Sequence, residues 1–332
     1  MKPDIHTTYL GLPLSSPLVA SASPLARNVD NLLKLEDAGA GAAVMFSLFE
    51  EQLKMEMRQV QQLWEAGADS FGEALSYFPE VETYPVGVAS YLELIREASE
   101  RCDMPIIGSL NGTTPEGWTY YAKAIEQAGA SALELNIFYV PTDISRTGED
   151  VEQRYVEVLK QVKKSVTIPV AVKLSPYFSS MGNMATTLSE AGADGLVLFN
   201  RFYEPDIDID HLILENSLSL SHPSEVRLPL MWIGILYDQL PVSLAATTGV
   251  HTGRDLIKYL LAGADVAMTT SALLKHGIGI IPSMLEELEL WMRLRGFESV
   301  KEMRGIMSRK HVNDPAAYAR ANYIKILHGY EG

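Results

Sequence analysis

One phrase recurs four times in the chain and constrains its fold more than any other feature. Ala38-Gly39-Ala40, Ala128-Gly129-Ala130, Ala191-Gly192-Ala193 and Ala262-Gly263-Ala264 each end a segment with helical spacing of apolar residues and precede a short apolar run. Glycine just past a helix end adopts the left-handed conformation that closes the helix at little steric cost. The runs that follow are continuous rather than alternating, as in strands buried on both faces of a parallel sheet. Helix, glycine cap and buried strand in repetition mark βα units.

Candidate strands fall at 18–22, 42–47, 105–110, 132–137, 170–174, 195–200, 242–247 and 265–270, with helical spacing at 29–38, 86–98, 115–128, 150–164, 184–191 and 254–261. Eight such units predict a single-domain (β/α)8 barrel spanning residues 1–332. An open doubly wound sheet is the alternative. Two long connections, 49–84 and 201–230, follow the second and sixth strands. There a barrel carries the loops that cover its active site, so both are read as insertions at the C-terminal face. Beyond Gly277 the spacing predicts helix throughout, including 283–294 and 315–327, as extra C-terminal helices.

With 332 residues, 47% of them hydrophobic, the chain can bury a large core. A net charge of −15 argues against nucleic acid or an anionic membrane as partner, and solubility alone is its plainest reading; a small-molecule substrate is the partner expected. No apolar run reaches membrane-spanning length, and Met1–His6 lacks the apolar stretch of a signal peptide, so a soluble cytoplasmic protein is expected. A homodimer is compatible with these properties. The single cysteine, Cys102, excludes an internal disulfide and any cysteine-based zinc or iron–sulfur site. No metal site is expected.

Charged and amide residues collect at strand ends. Lys173, in Val172-Lys173-Leu174-Ser175-Pro176, is costly to bury in an apolar strand unless it meets an anion or a ligand; a lysine reaching back to water is the alternative. Asn136 and Asn200 end the fourth and sixth strands, where an amide can donate and accept at once. Either alone can equally satisfy a loop. Together with Lys173 they sit at the tips of three consecutive strands, where barrel active sites lie. Ala20-Ser21 closes the first strand with small residues that let a flat ligand approach the backbone, or simply pack tightly.

Two turns near the C-terminus combine glycine and hydroxyls: Thr247-Thr248-Gly249-Val250-His251-Thr252-Gly253, and Thr269-Thr270-Ser271. Each lies between a strand and a helix, so both can aim backbone N–H groups at one anion, most simply a phosphate. Thr248, Gly249, Thr252 and Gly253 would form one wall, and Thr270 and Ser271 the other. Neither dinucleotide nor P-loop glycine patterns follow a strand.

Taken together, these residues resemble the dihydroorotate dehydrogenase family, FMN-containing TIM barrels. The likeness runs from Ser16-Pro17-Leu18-Val19-Ala20-Ser21 through Glu134-Leu135-Asn136 and Val172-Lys173-Leu174-Ser175-Pro176-Tyr177 to Leu274-Lys275-His276-Gly277. It implies an FMN oxidoreductase moving hydride between a CH–CH substrate and flavin N5, in pyrimidine biosynthesis if the substrate is dihydroorotate. By the same likeness Lys173 contacts the pyrimidine edge of the flavin, Asn136 and Asn200 touch substrate or flavin, and Ala20-Ser21 lies against the ring system. Thr248-Gly249-Val250 and Thr270-Ser271 hold the phosphate.

The chain departs from the family at several points. Tyr139 occupies the place of the catalytic base, and an unperturbed tyrosine, with a pKa of about 10, serves better as a proton donor. Ser47 and Ser76 are the other proton-transfer candidates, and Ser76 lies where the family binds orotate. Phe46-Ser47 replaces a Lys-Ser pair. Glu50 and Glu51 follow, read as a helix start with substrate binding as the alternative. Thr248-Gly249 stands for a Gly-Gly pair, and Thr270-Ser271 for Gly-Thr. Lys173→Ala is expected to strip flavin reactivity with little loss of fold. Two other readings stay open: a catalytically eroded barrel serving as a ligand-binding or regulatory subunit, and a flavin-free phosphate-binding lyase or isomerase.

Overall fold

Eight parallel strands close into a barrel in the computed structural model, which describes residues 2–49, 87–111, 115–201, 204–215 and 219–318. The strands are β3 (Leu18–Ala20), β4 (Ala42–Val44), β6 (Ile106–Asn111), β7 (Ala132–Asn136), β8 (Val170–Leu174), β9 (Gly195–Leu198), β12 (Ser243–Thr247) and β13 (Val266–Thr269). Each pairs in parallel with its neighbour, and pairing of β13 with β3 and of β4 with β6 closes the ring. The short β5 (Leu48–Phe49) carries the second strand onward against β6. The closed ring excludes the open-sheet alternative, and all eight strands expected from the sequence are present.

Around it lie α1 (Val29–Asp37), α2 (Val88–Arg101), α3 (Pro115–Gln127), α4 (Gly148–Ser165), α5 (Met181–Glu190), α6 (Arg227–Leu236), α7 (Gly253–Ala262), α8 (Ser271–His276), α9 (Ile280–Arg295) and α10 (Val300–Met303). The four Ala-Gly-Ala glycines all have positive φ, from 98° at Gly39 to 122° at Gly263. Each helix therefore ends where the sequence placed its cap, and the chain turns at once into the next strand.

Strand alternation makes two cores. Residues such as Leu18, Ala43, Leu133 and Val172 pack outward against the helices. Val19, Val44, Ile107, Ala132, Ala171, Val197, Ala245, Val266 and Met268 fill the barrel interior. The interior is closed from below by an N-terminal hairpin, β1 (Thr7–Tyr9) and β2 (Leu12–Leu14), which contributes Tyr9, Leu10 and Leu14 to that core.

Two expectations change, and a third lies outside the described residues. The connection at 201–230 contains an exposed hairpin, β10 (Asp206–Asp208) with β11 (Ile213–Glu215), but its end already belongs to α6. Pro229 hides that helix in the sequence, yet proline is tolerated in a first turn, where the amides lack intrahelical partners. The C-terminal part is not helix throughout: after α10 the chain runs through turns to a 3-10 segment at Pro315–Tyr318. The long connection at 49–84, with Glu50, Glu51 and Ser76, lies almost wholly outside the described residues. No described helix is long and apolar enough to cross a membrane.

Candidate active site

Interior-facing positions become polar towards the C-terminal ends of the strands. On β6 the sequence passes from Ile107 to Ser109, on β7 from Ala132 to Glu134 and Asn136, on β8 from Ala171 to Lys173, and on β12 from Ala245 to Thr247. The register sets Asn136 opposite Lys173. Polar groups are thus gathered at one end of an apolar cylinder, where a barrel builds its site.

A line of hydrogen bonds crosses this mouth. Asn200 donates from Nδ2 to Asn136 Oδ1 at 2.6 Å. Asn136 in turn donates to Ser47 Oγ at 3.5 Å, and Ser47 and Ser109 share a hydroxyl contact of 2.8 Å. Ser109 is fixed from behind: Tyr91 donates its hydroxyl to the Ser109 carbonyl at 3.1 Å and accepts from the Ser109 amide at 3.2 Å. Burial pushes the Tyr91 hydroxyl well above its ordinary range, so it stays a neutral donor. Below this line Lys173 Nζ meets Glu134 Oε1 at 3.4 Å, both side chains buried.

The two expected turns are brought together. Ser21, Lys173, Asn200, Thr248, Gly249, Val250, Thr270 and Ser271 line one pocket of about 200 Å³. Thr248 and Gly249 both hold positive φ, 79° and 76°. A Cβ on Gly249 would come within 2.7 Å of the Val226 amide nitrogen, so only glycine fits there. Among the described residues the Gly249 and Val250 amides have no protein acceptor. Ser221 leans over the same end, its hydroxyl 2.8 Å from Ser271 Oγ and 3.2 Å from His251 Nε2.

Other expected residues fall elsewhere. Thr252 and Gly253 do not line the pocket. The amides of His251 and Thr252 and the Thr252 hydroxyl all donate to Asp255 Oδ2, at 3.2, 3.1 and 2.9 Å. A capping box thus engages Thr252 with Asp255 at the start of α7, and the Arg254 amide donates to Glu287 Oε2 at 3.2 Å. Ala20 is buried in the strand–helix layer, and Ser21 alone of that pair lines the pocket. Tyr139 lies apart from the Lys173 cluster, with the Arg154 guanidinium 4.5 Å from its ring centre, and lines a separate cavity along α4. Phe46, at the position where the resemblance implies lysine, stacks edge-on to Tyr91 under the Arg27 guanidinium.

Ser109, Glu134, Ser221 and Tyr91 were missed in the sequence. Glu134 alone left a signal, a carboxylate between two apolar strand residues. A larger cavity of about 870 Å³ lies between the N-terminal hairpin and the start of α10, at the opposite end from Lys173. In a barrel that end serves stability.

Known proteins resemble the chain throughout. Dihydroorotate dehydrogenase B (NAD(+)), catalytic subunit, of Methanothermobacter thermautotrophicus is 26% identical over 309 residues, covering 91% of this chain and 98% of that protein. Its namesake from Pyrococcus abyssi is 27% identical over 307 residues, with the same coverage. That from Methanocaldococcus jannaschii is 32% identical over 212 residues, 61% of this chain and 68% of the relative. The family model described as dihydroorotate dehydrogenase matches residues 85–292, more than half of the chain, and with the closed barrel and its polar mouth this shows that the chain belongs to the dihydroorotate dehydrogenase family.

Proposed function

We propose that the chain is an FMN-dependent oxidoreductase acting on dihydroorotate or a related CH–CH substrate. The coarser statement follows from the family: the chain is an oxidoreductase acting on CH–CH groups. The finer one rests on one observation. A single pocket runs from a lysine and an asparagine at one end to hydroxyls and unclaimed amides at the other. That donor set suits a ring that gathers negative charge joined to a phosphate tail.

The residues therefore fit FMN in kind. In volume the pocket is small against the roughly 300–1,000 Å³ of whole small-molecule sites. A phosphate accepting from Ser271 takes the place of the Ser221 contact. When bound, the flavin supplies the hydride acceptor at N5.

The chain's own residues do the rest. Lys173 places positive charge at the pyrimidine edge, while Asn136 and Asn200, locked to each other, present amide groups that orient substrate or ring. Ser47 is the proton-transfer group that the cluster contains, its hydroxyl aligned by Ser109 and Asn136. Tyr139 would need to leave Arg154 to take part. From the relatives' names we infer that the chain serves as the catalytic member of a larger assembly.

The eroded-barrel reading is favoured by one observation, Tyr139 in a separate cavity, and by the resemblance, which implies lysine where Phe46 packs on Tyr91. The colour of the purified protein separates the two. A yellow protein that releases FMN on denaturation, and bleaches anaerobically with dihydroorotate, is the expected result. A colourless protein that takes up no added FMN refutes the proposal, and a yellow one that never bleaches removes dihydroorotate as substrate.

A further inference from the structure

Beneath the pocket a carboxylate is buried that the function above does not use. Glu134 is 1% exposed and does not line the pocket. One oxygen receives Lys173; the other, Oε2, has no hydrogen-bond partner among the described residues. The Tyr9 hydroxyl, raised from the barrel floor, is likewise buried without a partner. The register explains the pairing: Glu134 faces Ala171, one interior position before Lys173 on the adjacent strand, so the two are diagonal neighbours inside the barrel.

We propose that Glu134 is a positioning residue: it holds the Lys173 ammonium in place and in its charged form, so that the charge meeting a bound ring is set by the pair and not by the lysine alone. This rests on the flavin reading of the pocket. A carboxylate at this depth is retained against a heavy desolvation penalty, which Lys173 offsets. Burial without a counter-charge disfavours the protonated form of an amine. Among the described residues the tyrosines that feel the Glu134 charge are Tyr9 in the hairpin and Tyr91 on α2, while Tyr155 on α4 donates to the Ile137 carbonyl at 3.0 Å. Burial first, and the Glu134 charge in addition, raise the Tyr9 and Tyr91 hydroxyls, so both stay neutral. Ser109, Asn111 and Thr247 from the flanking strands carry no charge. Arg201, beyond β9, is committed to Glu225 at 3.0 Å. Glu134 is thus the counter-ion of Lys173 among the described residues.

The test compares wild type, Glu134→Gln and the charge-free double variant Glu134→Gln/Lys173→Met. Melting of the flavin-free chains is followed at about pH 6 and pH 9. An unpaired buried amine has a folded pKa below its unfolded one, so the folded state binds fewer protons between the two and stability rises with pH. Glu134→Gln is expected to melt below the double variant at pH 6 and to narrow that gap by pH 9. With FMN bound, its two-electron midpoint potential is expected to match the double variant at pH 9 and not at pH 6. That is a tenfold weaker reduction equilibrium than wild type, about 30 mV. A Glu134→Gln potential equal to wild type at both pH values overturns the proposal, even if the melting gap appears. If wild type takes up no FMN, the flavin reading fails. The melting series then decides alone whether Glu134 keeps Lys173 charged, and the absence of a pH-dependent gap overturns it.

Discussion

Thr248→Gly should stabilise the chain relative to Thr248→Ala, although both remove the same side-chain contact. Thr248 has φ 79°, in the left-handed region that branched residues avoid. Holding an L-residue there costs about 1–2 kcal/mol. Two contacts keep it in place: Tyr259 donates its hydroxyl to the Thr248 carbonyl at 2.7 Å, and Thr248 Oγ1 donates to the Phe199 carbonyl at 3.4 Å. The first survives either substitution. The second is long and is lost in both, at a cost of about 0.5 kcal/mol. Glycine alone relieves the strain, and against this its extra freedom in the unfolded chain costs about 0.4–1 kcal/mol. The difference between the two variants is therefore about 1 kcal/mol in favour of glycine, roughly 2 °C in melting temperature for a chain of this size. Parallel thermal melts measure it, and FMN titration of the same samples should show tighter uptake by the glycine variant, because the Cβ beside the anion turn is gone. An alanine variant as stable as the glycine one would refute the assignment of strain to this residue.

Lys173→Ala should abolish flavin reduction in stopped-flow experiments and also cost about 3–5 kcal/mol in chemical denaturation, because it leaves Glu134 buried without its counter-charge; an unperturbed denaturation midpoint would contradict the pair. This replaces the expectation, from the sequence alone, of little loss of fold. Ser47→Ala should lower the turnover number about 10²–10⁴-fold, the usual worth of a positioned proton-transfer group, whereas Tyr139→Phe should not; steady-state assays giving the reverse order would move the proton to Tyr139. Asp255→Ala removes the acceptor of three hydrogen bonds at the start of α7 and should destabilise the chain by about 2 kcal/mol without altering flavin uptake. Weakened uptake in that variant would return the start of α7 to the anion site.

The barrel was legible because its signals are local. A glycine cap and a following apolar run need no partner to be recognised, and Gly39, Gly129, Gly192 and Gly263 all take the positive φ their positions demand. Lys173 and Asn136 were legible for a related reason: a polar residue at the end of an apolar strand stands out against its neighbours. The rest depends on register and on contacts distant in sequence. Ser109 looks like any small strand residue until Ser47, 62 positions earlier, is set 2.8 Å from it. Glu134 becomes the partner of Lys173 only once β7 and β8 are aligned. Thr252 misled because a hydroxyl before a helix serves a capping box as readily as a phosphate, and Asp255 three residues on decides between them.

The hairpin that floors the barrel is tied to the far end of the chain. Asp4 donates its amide to the Glu298 carbonyl at 2.8 Å and accepts from the Val300 amide at 2.9 Å. Thr7 Oγ1 donates to the Asp265 carbonyl at 3.1 Å, and the Leu10 amide donates to Ser243 Oγ at 3.0 Å. These residues thus find their anchors only some 230–300 positions further along the chain. The floor, with Tyr9, Leu10 and Leu14, docks only when those distant segments are in place, through contacts of high sequence separation. Exclusion of water from the interior, and with it the electrostatic strength of the Lys173–Glu134 pair, is therefore coupled to docking of the floor and not to β7 and β8 alone.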